Sequence, residues 1–205
     1  MVCGITVHLI RHLPTLGNQK RQYIGWTDES ILPIGEPTSV MLPWKPEIVY
    51  GSDLMRCRES AALYFPEAIY ESDERFRESH FGAWEGKTYE ALKDNRTYRS
   101  WIDNPYEKTP PNGEGLFEVK SRVLAALTEL PEGKGEHFIV THGGPIRMML
   151  TQFSPEKQDF WFWQILHGSI WSLKWNHRND FVEGKKCTSL SAVPITGNES
   201  LFESY

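Results

Sequence analysis

The chain has 205 residues, which is long enough to bury a hydrophobic core without disulfides or a structural metal. It carries 22 Lys and Arg residues against 27 Asp and Glu residues, and this net charge of −5 argues against nucleic-acid binding through bulk positive charge. A hydrophobic content of 40% and a charged content of 24% exclude a collagen-like, coiled-coil or disordered chain.

The cysteines and the N-terminus indicate where the protein works. Cys3, Cys57 and Cys187 are odd in number and lack CxxC spacing, which argues against a disulfide framework or a zinc site and favours a reducing compartment. The N-terminus lacks the basic region of a signal peptide, and no apolar run approaches the ~18 residues of a membrane helix. We expect a cytoplasmic protein with no metal, no nucleic-acid partner and no membrane partner.

Strand and helix patterns alternate along the chain, which is typical of an α/β fold. The patterns predict, in chain order, a strand over 5–10, a strand over 47–50, a helix over 54–64, a short strand over 68–70, a polar helix over 88–101, a loop over 104–113, an amphipathic helix over 116–130, a strand over 136–141, a helix over 145–150, a helix start at 154–156 and a strand over 168–175. Ser52 or Asp53 is expected to cap the helix that begins at residue 54. We expect one domain, residues 1–205, with a helical and loop insertion around 73–113.

Cationic and histidine side chains follow three of the predicted strands. Arg11 and His12 come directly after the first strand, Arg56 lies just beyond the second, and His142 follows the strand over 136–141. Ligand sites in open α/β sheets form at these carboxyl ends. The turn at 143–145 begins a helix whose free N–H groups favour an anion, and arginine forks match phosphate oxygens. The pattern predicts a local cationic pocket for a phosphoryl group.

The motifs around these residues resemble those of the histidine phosphatase superfamily, also called the phosphoglycerate-mutase-like family. The matching segments, in family order, are 9–18 (LIRHLPTLGN), 25–28 (GWTD), 52–56 (SDLMR), 78–86 (ESHFGAWEG), 112–114 (NGE) and 140–144 (VTHGG). Each segment alone is weak evidence, but all of them in order are highly specific. The resemblance implies an α/β fold, a three-layer α/β/α sandwich with a mostly parallel sheet.

The resemblance also assigns roles to individual residues. It implies that His12 is the nucleophile, that Arg11, Arg56 and His142 hold the phosphoryl oxygens, and that Glu78 is the proton donor. The implied reaction is metal-independent and needs no cofactor: His12 takes the phosphoryl group, and Glu78 protonates the leaving oxygen and then activates water.

Two further residues match phosphate contacts in the family, and some positions depart from its pattern. Asn18 matches an asparagine that touches phosphate, and Gly143 supplies a backbone N–H. Leu13 and Pro14 replace other residues beside the nucleophile, which puts the local backbone in question. Cys57 lies near the pocket but has no paired base in the sequence, so a thiol nucleophile is disfavoured.

Several residues compete with these candidates. Glu85 is an alternative to Glu78 as the acid, although it is also interpreted as a residue that orients its neighbours. Arg58 competes with Arg56, but two helical positions place it about 200° away, on the surface. The remaining histidines are interpreted as structural or background residues: His8, His80, His137, His167 and His177.

The predicted activity is hydrolysis of a small phosphorylated metabolite, with α-ribazole 5′-phosphate as one candidate. The alternatives are a phosphoglycerate mutase and a non-catalytic module that binds phosphorylated ligands. The resembling mutases use extra cations, but Tyr89 and Gln22 stand at two of those places here, and Arg96 and Arg99 are not adjacent. Hydrolysis is therefore expected over mutase activity.

Overall fold

A computed structural model of the protein describes residues 4–33, 42–133 and 135–194, with side chains up to residue 192. The strands are β1 (Ile5–Arg11), β2 (Ile48–Gly51), β3 (Ile69–Ser72), β4 (Glu136–Thr141), β5 (Ser169–Trp175) and β6 (Ser189–Pro194). The α-helices are α1 (Leu16–Gln19), α2 (Met55–Tyr64), α3 (Tyr89–Leu92), α4 (Arg96–Asp103), α5 (Leu116–Thr128), α6 (Gly143–Phe153) and α7 (Arg178–Val182). Cys3 lies outside the described residues.

The six strands form one sheet in the order β3-β2-β4-β1-β5-β6. The pairs β2–β3, β2–β4 and β1–β4 are parallel, whereas β5 pairs antiparallel with β1 and with β6. The predicted α/β fold is confirmed, and the parallel part of its sheet consists of the four strands β3, β2, β4 and β1.

The two faces of the sheet bury different helices. Val7 and Leu9 of β1 pack with α5 and α6, whereas Ile10 packs with Cys57 and Ala61 of α2. This division follows from strand geometry, because successive side chains of a strand point to opposite faces. The sheet is therefore the middle of three layers.

The strand register brings the predicted site residues together. Arg11 is paired with Thr141, and Gly51 is paired with Val140, so β1, β2 and β4 end at the same edge of the sheet. The chain leaves this edge into His12, Ser52 and His142.

The helix-capping prediction at α2 is wrong. Leu54 is the N-cap residue, and the first N–H of the helix, that of Met55, donates to Asp28 Oδ1 at 2.8 Å. Asp53 instead accepts hydrogen bonds from Arg77, which lower the pKa of the Asp53 carboxyl. A cap from a residue 27 positions earlier could not be read from local sequence.

Other local predictions also differ from the structure. The helix predicted over 88–101 is two short helices, α3 and α4, because Thr88 and Asn95 each cap a separate N-terminus. The helix start predicted at 154–156 is wrong, since Ser154 ends α6 and a 3₁₀ helix, Phe160–Phe162, follows. Strand β6 was not predicted at all. Among the described residues, no helix is long and apolar enough to cross a membrane.

Candidate active site

His12 lies buried at the end of β1 with its ring orientation set by the backbone. Its Nδ1 is 2.6 Å from the carbonyl oxygen of Leu13, and because that oxygen can only accept, Nδ1 carries the proton in the neutral ring. Burial, together with the positive charge of Arg56 and Arg11 and the neighbouring His142, holds the pKa of His12 well below its usual range. The neutral ring therefore keeps a lone pair on Nε2.

Arg11 is a cation with unused hydrogen-bonding capacity. One terminal nitrogen donates to the carbonyl of Ile165, and Nε is buried without a partner. Burial lowers the pKa of Arg11 to about 10, so it remains charged at neutral pH. An anion beside Arg11 would provide an acceptor for Nε and offset the burial of its charge.

Arg56 and His142 form a buried pair at the ends of β2 and β4. Arg56 donates to the carbonyls of Gly25 and Thr27 at 2.6 and 2.8 Å, and its Nε lies 3.2 Å from His142 Nδ1. Because Arg56 must donate, His142 Nδ1 accepts and Nε2 carries the proton. Burial, followed by the charges of Arg56 and Arg11, holds the pKa of His142 well below its usual range.

The N-terminus of α6 holds the carboxylate of Glu78. The N–H of Gly144 lies 3.1 and 3.0 Å from the two oxygens of Glu78, and the Ser79 N–H donates to Oε1 at 2.8 Å. A Cβ at position 144 would lie 2.1 Å from Oε1, so only glycine permits this approach. Gly143 packs beneath Arg11, since its Cβ would lie 3.5 Å from Arg11 Cζ.

The segment that carries Glu78 is held in place by a partly buried ion pair. Arg122 of α5 forms an ion pair with Glu114 at 2.7 Å and donates to the carbonyl of Glu78 at 3.0 Å. Arg122 also donates to the carbonyls of Arg75 and Arg77. Glu114 belongs to the NGE segment. Its ion pair with Arg122 explains how this motif contributes to the site, since Arg122 holds the backbone that carries Glu78.

The similarity to a known family extends over most of the chain. A model of the histidine phosphatase superfamily, branch 1, matches residues 7–188. The chain belongs to this superfamily. The matched region includes all of the site described above, from β1 to α6.

Individual relatives in the superfamily have different names. The chain is 29% identical over 160 residues to "Putative phosphoserine phosphatase 2" of Hydrogenobacter thermophilus, covering 70% of this chain and 76% of that one. It is 27% identical over 153 residues to "Probable phosphoglycerate mutase GpmB" of Escherichia coli, covering 68% and 70%. The solved α-ribazole phosphatase of Shigella flexneri superposes with a TM-score of 0.72 over 84% of this chain and 91% of that chain, and at 22% identity this supports the fold alone.

Glu85, the competing acid in this superfamily member, lies in a different environment from Glu78. Its carboxylate accepts from the N–H groups of Gly25, Trp26, Thr27 and Phe81 and from the Thr27 hydroxyl. Burial opposes the charged form, but these hydrogen bonds outweigh it and lower the pKa of Glu85. Glu85 therefore fixes the loop over 25–27, whose carbonyls accept hydrogen bonds from Arg56.

Asn18 and Arg58 occupy positions outside the buried cluster. Asn18 Oδ1 accepts from the N–H and the hydroxyl of Thr15, which closes the capping box of α1 and leaves the amide nitrogen as the group that could meet phosphate. Arg58 is exposed and contacts the Asp53 carbonyl and Ser72, as its helical position predicts.

The departures beside His12 are accommodated by the core. Leu13 is buried in the cluster beneath α2, and its N–H donates to Ser60 Oγ at 2.9 Å. The carbonyl of Pro14 accepts from the Leu32 N–H at 2.8 Å. Both residues therefore anchor the loop that follows the nucleophile candidate.

Sequence reasoning did not place His167 or Arg147 beside the site, and it did not find the histidine that lies next to Cys57. His167 Nδ1 lies 3.0 Å from the His12 carbonyl, and the two rings are 5.1 Å apart. Cys57 Sγ lies 3.4 Å from His142 Nε2, so a histidine does stand beside this thiol, although burial raises the pKa of Cys57 and keeps it protonated. Arg147 is the third group. Burial lowers its pKa, and the nearby Glu78 offsets only part of this effect. Only for Cys57 and Arg147, through the SDLMRC and HGG segments nearby, did the sequence carry a signal.

Proposed function

We propose that the protein hydrolyses phosphomonoesters through a phosphohistidine formed on His12. The observation that supports this most directly is the state of His12, which is neutral, keeps a lone pair on Nε2 and lies among Arg11, Arg56 and His142. A neutral imidazole is a nucleophile, and the surrounding cations stabilise the negative charge of the phosphoryl group during its transfer.

The reaction balances over two displacements. Nε2 of His12 attacks phosphorus while the ester oxygen leaves and takes a proton from Glu78. Water then attacks the phosphohistidine, giving its proton to Glu78 and releasing inorganic phosphate and neutral His12. Arg11 and Arg56 supply positive charge to the phosphoryl oxygens, and the Nε2–H of neutral His142 supplies a hydrogen-bond donor, as do Gly143 and Asn18.

Hydrolysis is favoured over mutase activity in this proposal. A mutase retains a charged intermediate, which needs cations beyond the phosphoryl pocket. Tyr89 and Gln22 are uncharged, and Arg96 and Arg99 are both exposed on α4. The names of the relatives support a small phosphorylated metabolite as the substrate class, with α-ribazole 5′-phosphate as one member to include in a substrate panel.

A labelling experiment tests the proposal. The wild-type protein is mixed with a ³²P-labelled phosphomonoester and quenched in alkali, because phosphohistidine survives alkali and not acid. We expect label on the protein and release of inorganic phosphate, and we expect His12→Ala to lose both. His177→Ala, which removes an exposed histidine, is the matched control and should retain both.

Two results would overturn the proposal. Label retained by folded His12→Ala would assign the nucleophile to another residue. Mutase turnover of 3-phosphoglycerate, primed with 2,3-bisphosphoglycerate, that exceeds the best hydrolysis across the panel would make the protein a phosphotransferase.

A further inference from the structure

His167 lies in the turn before β5 and is attached to the backbone of the nucleophile candidate. Its Nδ1 is 3.0 Å from the carbonyl oxygen of His12, and the N–H of the next residue, Gly168, donates to the carbonyl of Arg11 at 3.0 Å. Because a carbonyl oxygen only accepts, Nδ1 of His167 carries the proton, and the neutral ring keeps a lone pair on Nε2. The antiparallel pairing of β5 with β1 fixes this position.

Two histidine rings approach the ring of His12 in nearly the same way. The ring centroid of His142 lies 5.0 Å from that of His12 at an angle of 61°, and the centroid of His167 lies 5.1 Å away at 66°. His142 is one of the proposed phosphoryl ligands, so a phosphoryl group on His12 lies within similar reach of His167. Nε2 of His167 meets no hydrogen-bond partner among the described residues, and the ring keeps some exposure to solvent.

The surroundings of His167 keep it neutral in the free protein. Burial, followed by the charge of Arg11, holds its pKa well below the usual range, although the hydrogen bond to the His12 backbone acts in the opposite direction. The charged and titratable groups that face it come from β1, α2 and the start of α6, and they are Arg11, His12, Arg56 and His142. None of these four is a carboxylate, so none of them favours the charged ring.

A bound phosphoryl dianion would change this balance. Its oxygens carry lone pairs, so the lone pair on Nε2 of a neutral His167 would repel them. The dianion also places negative charge beside the ring, and a nearby opposite charge favours the protonated imidazole. Uptake of one proton on Nε2 meets both conditions, because it converts a repelled acceptor into a charge-assisted hydrogen-bond donor.

We propose that His167 is a further catalytic residue, whose Nε2 takes up a proton as the substrate binds and donates a hydrogen bond to a non-bridging oxygen of the phosphorus that His12 attacks. This rests on the proposed hydrolysis at His12. The proton comes from solvent with the dianion and returns to solvent when inorganic phosphate leaves, so the overall reaction stays balanced. His167 thus adds positive charge only while the phosphoryl group is present, when that charge stabilises the transfer.

Binding of tungstate tests the proposal without any turnover. Tungstate is a tetrahedral dianion that carries no proton near neutral pH, and calorimetry in two buffers of different ionisation enthalpy counts the protons taken up with it. We expect the wild type at pH 7.5 to take up about one proton more than His167→Asn, since Glu78 is present in both proteins and its contribution cancels. Because the bound state holds more protons than the free state, the affinity of the wild type should weaken as pH rises from 6.5 to 8.5, and that of His167→Asn should weaken less.

The choice of side chain separates Nε2 from Nδ1. The amide nitrogen of Asn can occupy the place of Nδ1 and keep the hydrogen bond to the His12 carbonyl, but it leaves nothing at the place of Nε2. We expect kcat/KM for an alkyl phosphate to fall about tenfold to a hundredfold in His167→Asn, which is the effect of a hydrogen bond to a charged group. His167→Gln, whose amide nitrogen reaches the place of Nε2, should retain part of the rate without the proton uptake. His177→Asn makes the same change at an exposed histidine and should match the wild type in both measurements.

Four outcomes decide the matter. Equal proton uptake in the wild type and His167→Asn would overturn the proposal even if hydrolysis falls, because the loss would then come from packing beside His12. Unchanged hydrolysis in folded His167→Asn would also overturn it. If His167→Asn does not fold, full proton uptake in His167→Gln would have the same meaning. A wild type that hydrolyses no ester, but shows the proton uptake that depends on His167, would overturn the proposed function and leave His167 as a ligand of the anion.

Discussion

Glu78 and Glu85 show how two nearby carboxylates are given different surroundings. Glu78 accepts from the backbone at the N-terminus of α6, beside Arg11, whereas Glu85 is surrounded by donors of the loop that holds Arg56. Hydrogen bonds from Thr27 and the backbone keep Glu85 ionised despite its burial, which suits an anchor better than a proton donor.

Substrates with different leaving groups distinguish a proton donor at Glu78 from a structural anchor at Glu85. Glu78→Gln removes the proposed acid, so we expect hydrolysis of an alkyl phosphate to fall roughly 10²–10⁴-fold. The loss should be smaller for p-nitrophenyl phosphate, whose leaving group needs little protonation. Glu85→Gln should affect both substrates equally and lower stability by about 1–3 kcal/mol, because it weakens several charge-assisted hydrogen bonds. A larger leaving-group dependence for Glu85→Gln would transfer the role of acid to Glu85.

Among the secondary-structure elements, α6 contributes most to the site. His142 is its N-cap, Gly143 packs beneath Arg11, and the Gly144 N–H holds Glu78. Two glycines at the start of a helix reduce its intrinsic stability relative to alanine. The close approach of Glu78 explains why glycine is nevertheless found at position 144.

Gly144→Ala should therefore separate stability from activity. Alanine raises helix propensity by up to about 1 kcal/mol, and the clashing atom is the mobile end of Glu78, so the fold should survive. The added Cβ would displace the carboxylate, and we expect hydrolysis of an alkyl phosphate to fall by roughly tenfold or more. Urea denaturation and initial rates measure the two effects. Gly135→Ala, where a Cβ meets nothing within 4 Å, should leave the rate within about twofold.

At the scale of the whole molecule, stability depends on three buried site histidines that stay neutral. Burial is the largest cause of the lowered pKa of His12, His142 and His167, and Arg56 and Arg11 add to it. Below about pH 6.5 the unfolded chain binds protons on these histidines and the folded protein does not. Stability therefore falls as pH falls through this range.

The expected result is a decrease in the free energy of unfolding between pH 8 and pH 5.5. Each histidine that stays neutral contributes up to about 1.4 kcal/mol per pH unit below its unfolded pKa. His167→Asn should make the slope shallower. Asp53 and Glu85, whose pKa values are also lowered, lose their contributions only nearer pH 4, so this window isolates the histidines. A slope that is equal in the variant and the wild type would contradict the assignment of His167.

The sequence by itself determined the family, the α/β class and the positions of Arg11, His12 and His142 at strand ends. It could do so because the alternating apolar runs and the polar residues that end them are local patterns. The strand β4 was predicted with its full bounds for this reason. The motif segments also named Glu78 and Arg56, although their roles remain predictions.

Only the tertiary structure decided which groups meet. Glu78 accepts from the N–H of Gly144 across 66 residues, Asp28 caps α2, and Arg147 lies against the rings of Phe160 and Trp161. The register of β1 and β4 and the packing of α6 create these contacts, and local sequence encodes neither. A side chain acquires its charge state and its partners from neighbours in space, so the environments of His12, Glu85 and Arg147 became apparent only once the chain was folded.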